Sequence, residues 1–468
     1  METVDLLVIG GGPAGYAGAL RAARKGLKTV LVEARDLGGT CLNRGCIPTK
    51  ALFKAQEVIH TVRRAQEFGV FAEYRGLDWT KVLERKKRIV RQLTGGVRFL
   101  LEKAGVEIVQ GFAVFAGERM VQVLWDGKVV REFQPRFVLL ASGSRSASLP
   151  VPGGNLPKVI DSEKALDLPE LPKSLVVIGG GVIGMEMACI FQGFGVEVTV
   201  IEMMPKILPP VDREVTDLLT RLVERQGMKV YVNAQVREIR ESDGKLEVIY
   251  AQNDMLHTAS GEYVLVAVGR IPQVEGMGLE NVGIAVERKA VVTDATLRTS
   301  LPWVYAPGDV NGKHLLAHVA YKEAEVAVEN ICGENVTIDY RVVPNCIFSF
   351  PEIASVGLTE DEAKEKGYTV RCGRFPFRAN GKAVIEGEIE GFVKIVSDAK
   401  SGEILGVHII GPSASNLIGE GILAMYLEST PYELASAIHP HPTLSEAVME
   451  AAEAVFGAPL HFMEGGGR

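Results

Sequence analysis

The stretch from Val4 to Glu33, VDLLVIGGGPAGYAGALRAARKGLKTVLVE, runs through an apolar strand, a glycine-rich turn, a helix and a second strand ending in an acid. The same order returns between Leu175 and Glu202, LVVIGGGVIGMEMACIFQGFGVEVTVIE. Gly10, Gly12, Gly15 and Glu33 match Gly179, Gly181, Gly184 and Glu202 at one constant offset. A single GxGxxG says little. Two copies, each between strand and helix with an acid about 20 residues on, are the fingerprint of dinucleotide binding. The first glycine makes the tight turn, the second admits the pyrophosphate, and the third lets helix pack on strand. Free N–H groups and the helix dipole hold the phosphates. The terminal carboxylate accepts hydrogen bonds from ribose hydroxyls. The expected class is α/β with two Rossmann-like dinucleotide-binding domains.

Further apolar strands close with glycine at Phe137–Arg145, Tyr263–Arg270 and Val304–Val310. Turn-rich connections at Leu149–Pro157 and Asp167–Pro172 lead into the second unit. After Ile338 the pattern changes. Short strands near Cys346–Gly357 and Gly391–Ile410 precede helices at Asn416–Leu427 and Thr443–Phe456, which argues for a C-terminal α+β domain.

The 468 residues exceed one hydrophobic core, so two to four domains are expected. A net charge of −7 argues against a general nucleic-acid or anionic-membrane binder. The basic run from Lys81 to Arg91 reads as a solvated helix face. No basic leader and no uninterrupted apolar run of about 20 residues stands in the sequence, so a cytoplasmic, non-membrane protein is expected. Six cysteines in this length do not make a disulfide scaffold.

Two of those cysteines fall in Gly39–Lys50, GTCLNRGCIPTK. Cys41 and Cys46 cannot be bridged on one regular helix, because a disulfide needs Cα atoms about 4.4–6.8 Å apart. Gly39 and Gly45 give the backbone freedom to break the helix, and Pro48 fits a first helical turn. Cys46 and Lys50 then share a face, and both Lys50 and the helix terminus favour thiolate at Cys46. A zinc clip needs two more ligands at short spacing, and none is nearby. Redox pair, structural disulfide and metal site stay open at this point, with redox chemistry the leading reading. Cys189, Cys332, Cys346 and Cys372 read as small apolar residues.

GGTCLNRGCIPTKAL after the first GxGxxG, the second GxGxxG, APGDV and a late HPTLSE resemble the disulfide oxidoreductase flavoproteins over essentially the whole chain. Within them the similarity is greatest to members that reoxidise protein-bound dihydrolipoyl groups with NAD⁺. The resemblance implies FAD in the first site and NAD in the second. It divides the chain into 1–148 (FAD-binding), 149–272 (NAD-binding), 273–342 (a central domain completing the FAD site) and 343–468 (the dimer interface). It implies that Cys41 exchanges with substrate and that Cys46 passes electrons to the flavin. Lys50 would pair with Glu186, and Asp309 would bond the ribityl chain. Thr40, Gly143, Gly269, Ala317 and His318 would also approach the cofactors.

Thiol exchange needs a base working near neutral pH, which is histidine's range. Proline flanks His441 on both sides in His439-Pro440-His441-Pro442, and His441 matches the family's catalytic histidine. Thr443-Leu444-Ser445-Glu446 is a capping-box pattern. The resemblance instead makes Glu446 the group that orients the imidazole. It leaves His439 with a role in the substrate channel or none. The family implies a homodimer with active sites shared across the interface, serving a lipoyl-bearing acyltransferase subunit of a 2-oxo acid dehydrogenase complex or a glycine-cleavage lipoyl protein. Glu202 favours NAD over NADP, since a carboxylate repels a 2′-phosphate. Met203-Met204-Pro205-Lys206 lacks a phosphate-clamping arginine, and Lys206 reads as solvated. No metal is expected. An NADH-dependent reductase of another disulfide or quinone is the competing enzyme, and a purely structural subunit is disfavoured because it needs neither CLNRGC nor HPTLSE.

Overall fold

The computed structural model describes residues 1–463. They form two compact units: residues 1–149, 160–171 and 268–338 in one, and residues 150–159, 172–267 and 339–463 in the other. The expected first and central segments thus fold together, while the second nucleotide-binding segment joins the C-terminal one.

In the first unit, strands Glu107–Gln110, Thr29–Glu33, Glu2–Ile9 and Lys128–Leu140 lie side by side and parallel. Met120–Trp125 and Phe112–Gly117 extend the sheet antiparallel, and Val304–Tyr305 adds a parallel strand beside Val138 and Leu139. Strands buried on both faces read as unbroken apolar runs. Leu6, Leu7, Val8 and Leu31 are accordingly buried completely. The Pro13–Arg24 helix packs through Ala14, Gly15, Gly18, Ala19 and Ala22. These small side chains let it lie close to the sheet: a Cβ on Gly18 would come within 2.4 Å of Leu139.

The second unit repeats the parallel core as Lys229–Tyr231, Glu197–Ile201, Ser174–Ile178 and Tyr263–Val266. An antiparallel meander of Gln235–Ser242, Lys245–Gln252 and Met255–Gly261 accompanies it, a feature without a sequence signal strong enough to anticipate. The C-terminal part is an antiparallel sheet in the order Asn345–Ile347, Glu352–Gly357, Ile404–Gly411, Phe392–Asp398, Val370–Pro376. Helices Ala414–Tyr426 and Glu446–Val455 pack their apolar faces into its core.

Three sequence expectations need correction. Lys86 is buried: its ammonium donates to the Leu166 carbonyl and to Asp167 at 2.7 Å. The solvated face therefore excludes that residue. Lys206 is drawn in by the Val211 carbonyl. Cys332 is exposed, so only Cys189 of the four outlying cysteines is fully buried.

Candidate active site

Both glycine turns have the same construction. Gly10 and Gly179 sit at φ +99° and +103°, where a side chain is strained. A Cβ on Gly15 would come 1.7 Å from the Gly10 carbonyl oxygen, and one on Gly184 1.9 Å from that of Gly179. Among the described residues, none beyond Gly181's chain neighbours and its own helix backbone comes within 4 Å of a Cβ built on it, which leaves open space there. Gly12 and Gly181 open their helices without side-chain caps, so the first N–H groups face outward unclaimed by side chains. The terminal acids are tied down. Glu33 accepts from the Gly11 and Arg35 amides, both at 2.6 Å. Glu202 accepts from Gly180 at 2.6 Å and Met204 at 2.7 Å. Each carboxylate clamps its own turn.

The cysteine segment breaks where the glycines allow. Gly38 and Gly39 have φ of +97° and +58°, and one short helix spans Gly39–Arg44. Gly45 then turns the chain, and a new helix begins at Cys46 and runs to Arg64. Cys41 lies in the last turn of one helix and Cys46 at the first residue of the next. The thiols touch each other, and this contact, with burial, pushes Cys41 up against the lowering pull of Lys50. Gly39 fits against Gly12, where a Cβ would come within 2.6 Å, so the cysteine segment rests on the first glycine turn. Thr40 lies in the same short helix. Arg44 is paired with Asp36 at 2.5 Å and Glu163 at 3.6 Å, which largely neutralises its charge beside the thiols.

Asp309 forms a network that sequence reading missed. Ser144 donates to its carboxylate, and Arg270 donates to the Ser144 hydroxyl at 2.8 Å and carbonyl at 2.7 Å. Burial raises the Asp309 carboxyl above its usual range despite these partners. Gly143 and Gly269 flank the ribbon that pairs Ser144–Ser146 with Arg270–Pro272. Ala317 and His318 begin the uncapped Ala317–Ile331 helix. From that helix the fully buried Glu323 holds Gly308 N–H at 2.5 Å and the Asn311 amide at 2.8 Å. Tyr16 and Tyr321 also escaped the sequence reading. Their hydroxyls meet at 2.5 Å, and both phenols are raised, chiefly by burial, with the two thiols near enough to add to the effect. The available signal was Tyr16 itself, a polar aromatic where the second copy has Met185.

In the other unit, Glu186 is buried and accepts from the Phe348 amide at 3.0 Å. Lys50 belongs to the first unit. The histidine loop is pinned from both arms. His441 Nδ1 lies 2.8 Å from Glu446 Oε1, and Thr443 N–H donates to Glu446 Oε2 at 2.8 Å. Half of the capping box forms: Glu446 reaches back, but the Thr443 hydroxyl goes to the Pro440 carbonyl and to Ser445. One Glu446 oxygen thus faces the imidazole and the other makes the capping reach-back. Burial alone would raise Glu446, but the Thr443 amide and the imidazole outweigh it and hold the carboxyl low. The His441–Pro442 peptide is cis. Asn380 donates to the Thr443 carbonyl at 3.0 Å.

Residues 4–324 match the family described as pyridine nucleotide-disulphide oxidoreductase, and residues 343–452 match its dimerisation domain. The chain belongs to the pyridine nucleotide-disulphide oxidoreductases. It is 42% identical to a dihydrolipoyl dehydrogenase of Bacillus subtilis over 98% of this chain and 99% of that one. It is 44% identical to the one of Thermus scotoductus over 99% and 100%. Among solved structures it is similar to the Cu(II) complex of the HOCl-induced flavoprotein disulfide reductase RclA from Escherichia coli. There the TM-score is 0.88, the identity 27%, and the coverage 97% and 99%.

This oxidoreductase uses FAD and NAD, and its residues fit both. Two turns in which a Cβ would strike backbone, each with a clamped acid and an open helix N-terminus, suit two dinucleotides. Among the described residues no cluster of three or more His, Cys, Asp or Glu is arranged to hold a metal. No described helix is long and apolar enough to cross a membrane.

Proposed function

We propose that this oxidoreductase is a dihydrolipoyl dehydrogenase, reoxidising protein-bound dihydrolipoyl groups through a Cys41–Cys46 disulfide and passing the electron pair to NAD⁺. The observation that carries the reading is the pairing of two chemistries in one chain: thiols set at a helix break, and an imidazole oriented by a carboxylate. Glu446 accepts the Nδ1 proton of His441 and so leaves Nε2 as the basic nitrogen. His441 Nε2 takes a proton from the incoming dithiol. The resulting thiolate attacks Cys41 Sγ, the Cys41–Cys46 bond breaks, and Cys46 leaves as thiolate. The substrate's second thiol then attacks the substrate sulfur of the mixed disulfide, its proton passing to Cys41, which leaves as the thiol as the cyclic lipoyl disulfide closes. Bound FAD supplies the two-electron link between the thiol pair and NAD⁺. The balance is dithiol plus NAD⁺ to disulfide, NADH and one proton.

Gly10, Gly12, Gly15, Glu33, Thr40, Lys50, Gly143, Asp309, Ala317 and His318 would hold FAD. Gly179, Gly181, Gly184, Glu202 and Gly269 would hold NAD, with Glu186 as counter-ion to Lys50. The active form is a homodimer in which the thiols of one subunit meet the partner subunit's His441. Exposed apolar side chains at Leu423, Tyr426, Leu427 and Ile438 support burial of this face in a dimer. The lipoyl group arrives on an acyltransferase subunit of a 2-oxo acid dehydrogenase complex or on a glycine-cleavage lipoyl protein. The cytoplasm is the compartment that suits such dithiol chemistry.

The test is anaerobic NAD⁺ reduction by dihydrolipoamide, with His441→Gln, Cys46→Ser and NADP⁺ as controls. NAD⁺-specific turnover lost in both variants supports the reading. The likeness to RclA favours a second one, an NADH-driven reductase of another disulfide. Wild-type enzyme that ignores dihydrolipoamide but oxidises NADH with such an acceptor would establish it.

A further inference from the structure

In the isolated subunit the base-bearing loop is exposed along most of its length, from Ser436 to Pro442, and Ile438 is completely so. His439 breaks this pattern, its side chain only 7% exposed. Both of its ring nitrogens are engaged: Nδ1 with the Ala437 carbonyl at 2.9 Å and Nε2 with Glu420 Oε1 at 2.6 Å. A carbonyl oxygen only accepts, so Nδ1 donates to Ala437, while Nε2 faces the Glu420 carboxylate. In the isolated subunit the ring is turned inward with both nitrogens occupied.

Glu420 stands on the Ala414–Tyr426 helix, whose buried residues Ala414, Ile418, Gly421 and Ala424 fix it to the C-terminal sheet. The other arm of the loop is held independently, through Asn380 and Glu446 at Thr443. We propose that His439 and Glu420 are a positioning pair for the thiol-exchange reaction, anchoring the loop two residues before His441 so that the imidazole meets the reacting thiol. This rests on the reading of His441 as the base. The pair touches no reacting atom. It acts on where His441 Nε2 sits, and displacement of about 1 Å in a reacting group costs on the order of 10²-fold.

The test uses flavin-loaded enzyme and two activities: NAD⁺ reduction by dihydrolipoamide, which needs the base, and NADH oxidation by ferricyanide, which bypasses thiol exchange. His439→Phe and Glu420→Ala should each lower dihydrolipoamide turnover by about 10- to 100-fold, in line with that sensitivity to misplacement. KM for NAD⁺ and the ferricyanide activity should stay within about twofold of wild type, on the same argument. His439→Gln, which keeps a donor toward Glu420, should recover most of the loss. The double variant His439→Phe/His441→Gln should be no slower than His441→Gln alone, because the pair works only through His441. Undiminished turnover in both single variants overturns the proposal. So does equal loss of the ferricyanide activity, which marks general damage to the fold, and so does an additive double variant. If wild-type enzyme does not oxidise dihydrolipoamide at all, or His441→Gln leaves turnover intact, the underlying functional reading fails instead.

Discussion

His441 Nδ1 and Glu446 Oε1 face each other at 2.8 Å, and the same carboxylate holds the Thr443 amide with its other oxygen. One side chain thus holds both the imidazole and the turn that carries it. Glu446→Gln tests the first of these duties. The amide keeps its oxygen for the Thr443 N–H and presents NH₂ to Nδ1, which turns Nδ1 into an acceptor and puts the proton on Nε2, where the base must be free. Turnover with dihydrolipoamide should fall by about 10²-fold or more, with circular dichroism unchanged. A variant within threefold of wild type would remove the orienting role.

The two glycine turns should fail separately. Gly184→Ala pushes a Cβ to 1.9 Å from the Gly179 oxygen and Gly15→Ala to 1.7 Å from that of Gly10. Each turn must shift to admit it, and at a cost, because the atom struck is backbone. Gly184→Ala should purify yellow, with its flavin still reduced by dihydrolipoamide, and show a KM for NAD⁺ raised at least about tenfold through loss of the phosphate cradle. Gly15→Ala should purify without flavin. Absorbance at the flavin bands read against NAD⁺ kinetics decides it, and loss of flavin from both variants would sink the assignment of separate sites.

What could be read from the sequence was local. The glycine turns, the break at Gly45 and the Glu446 reach-back are each set within a few residues, where spacing dictates geometry. What could not be read joins distant chain. Ser144 and Asp309 stand 165 residues apart, Lys394 and Asp212 182. No periodicity marks such pairs, and serine or lysine at those places looks like ordinary surface. Lys86 shows the same limit: its neighbours are solvated, so only the arrival of residues 166–167 makes it a buried cation.

Glu202→Ala should not convert the enzyme to NADP. Because Glu202 clamps Gly180 and Met204, removing it loosens the turn that both nucleotides need. The expected result is a fall of roughly tenfold or more in kcat/KM for NAD⁺, in proportion to two lost charge-assisted bonds, with NADP⁺ still poor. A gain in NADP⁺ turnover would show that the carboxylate acts by repulsion alone.

Lys394 is almost fully buried, and its ammonium lies 2.9 Å from Asp212 and 2.7 Å from both Glu214 and Glu360. Arg374 joins the latter two at 2.5 and 2.9 Å. Breaking one partner of a buried pair costs about 3–5 kcal/mol, since the remaining charges stay desolvated. Lys394→Met should lower stability by that order in urea denaturation, and a loss under about 1 kcal/mol would show that solvent reaches the cluster.

Acid should unfold the second unit in two stages. His408 is fully buried, with Nε2 against the Leu358 carbonyl at 2.9 Å and, among the described residues, no hydrogen-bond partner for Nδ1. Burial holds its pKa below the usual 6.5, although Asp212 pulls upward. A depressed base is neutral in the fold and takes a proton on unfolding, so its stabilising contribution is present above pH 6.5 and declines as pH falls below it. The carboxylates form the second stage. Burial raises Asp212, Glu214 and Glu360, but the cations around them win and hold all three low, Glu360 at about 2. Their contribution is full above the ordinary carboxylate range and lost as pH drops through it toward 2. Urea midpoints measured from pH 8 to 3 should therefore fall first near pH 6 and again below pH 4.5. In His408→Leu the first fall should vanish and the second remain. If the first fall survives in that variant, another group titrates there and His408 does not set the acid limit.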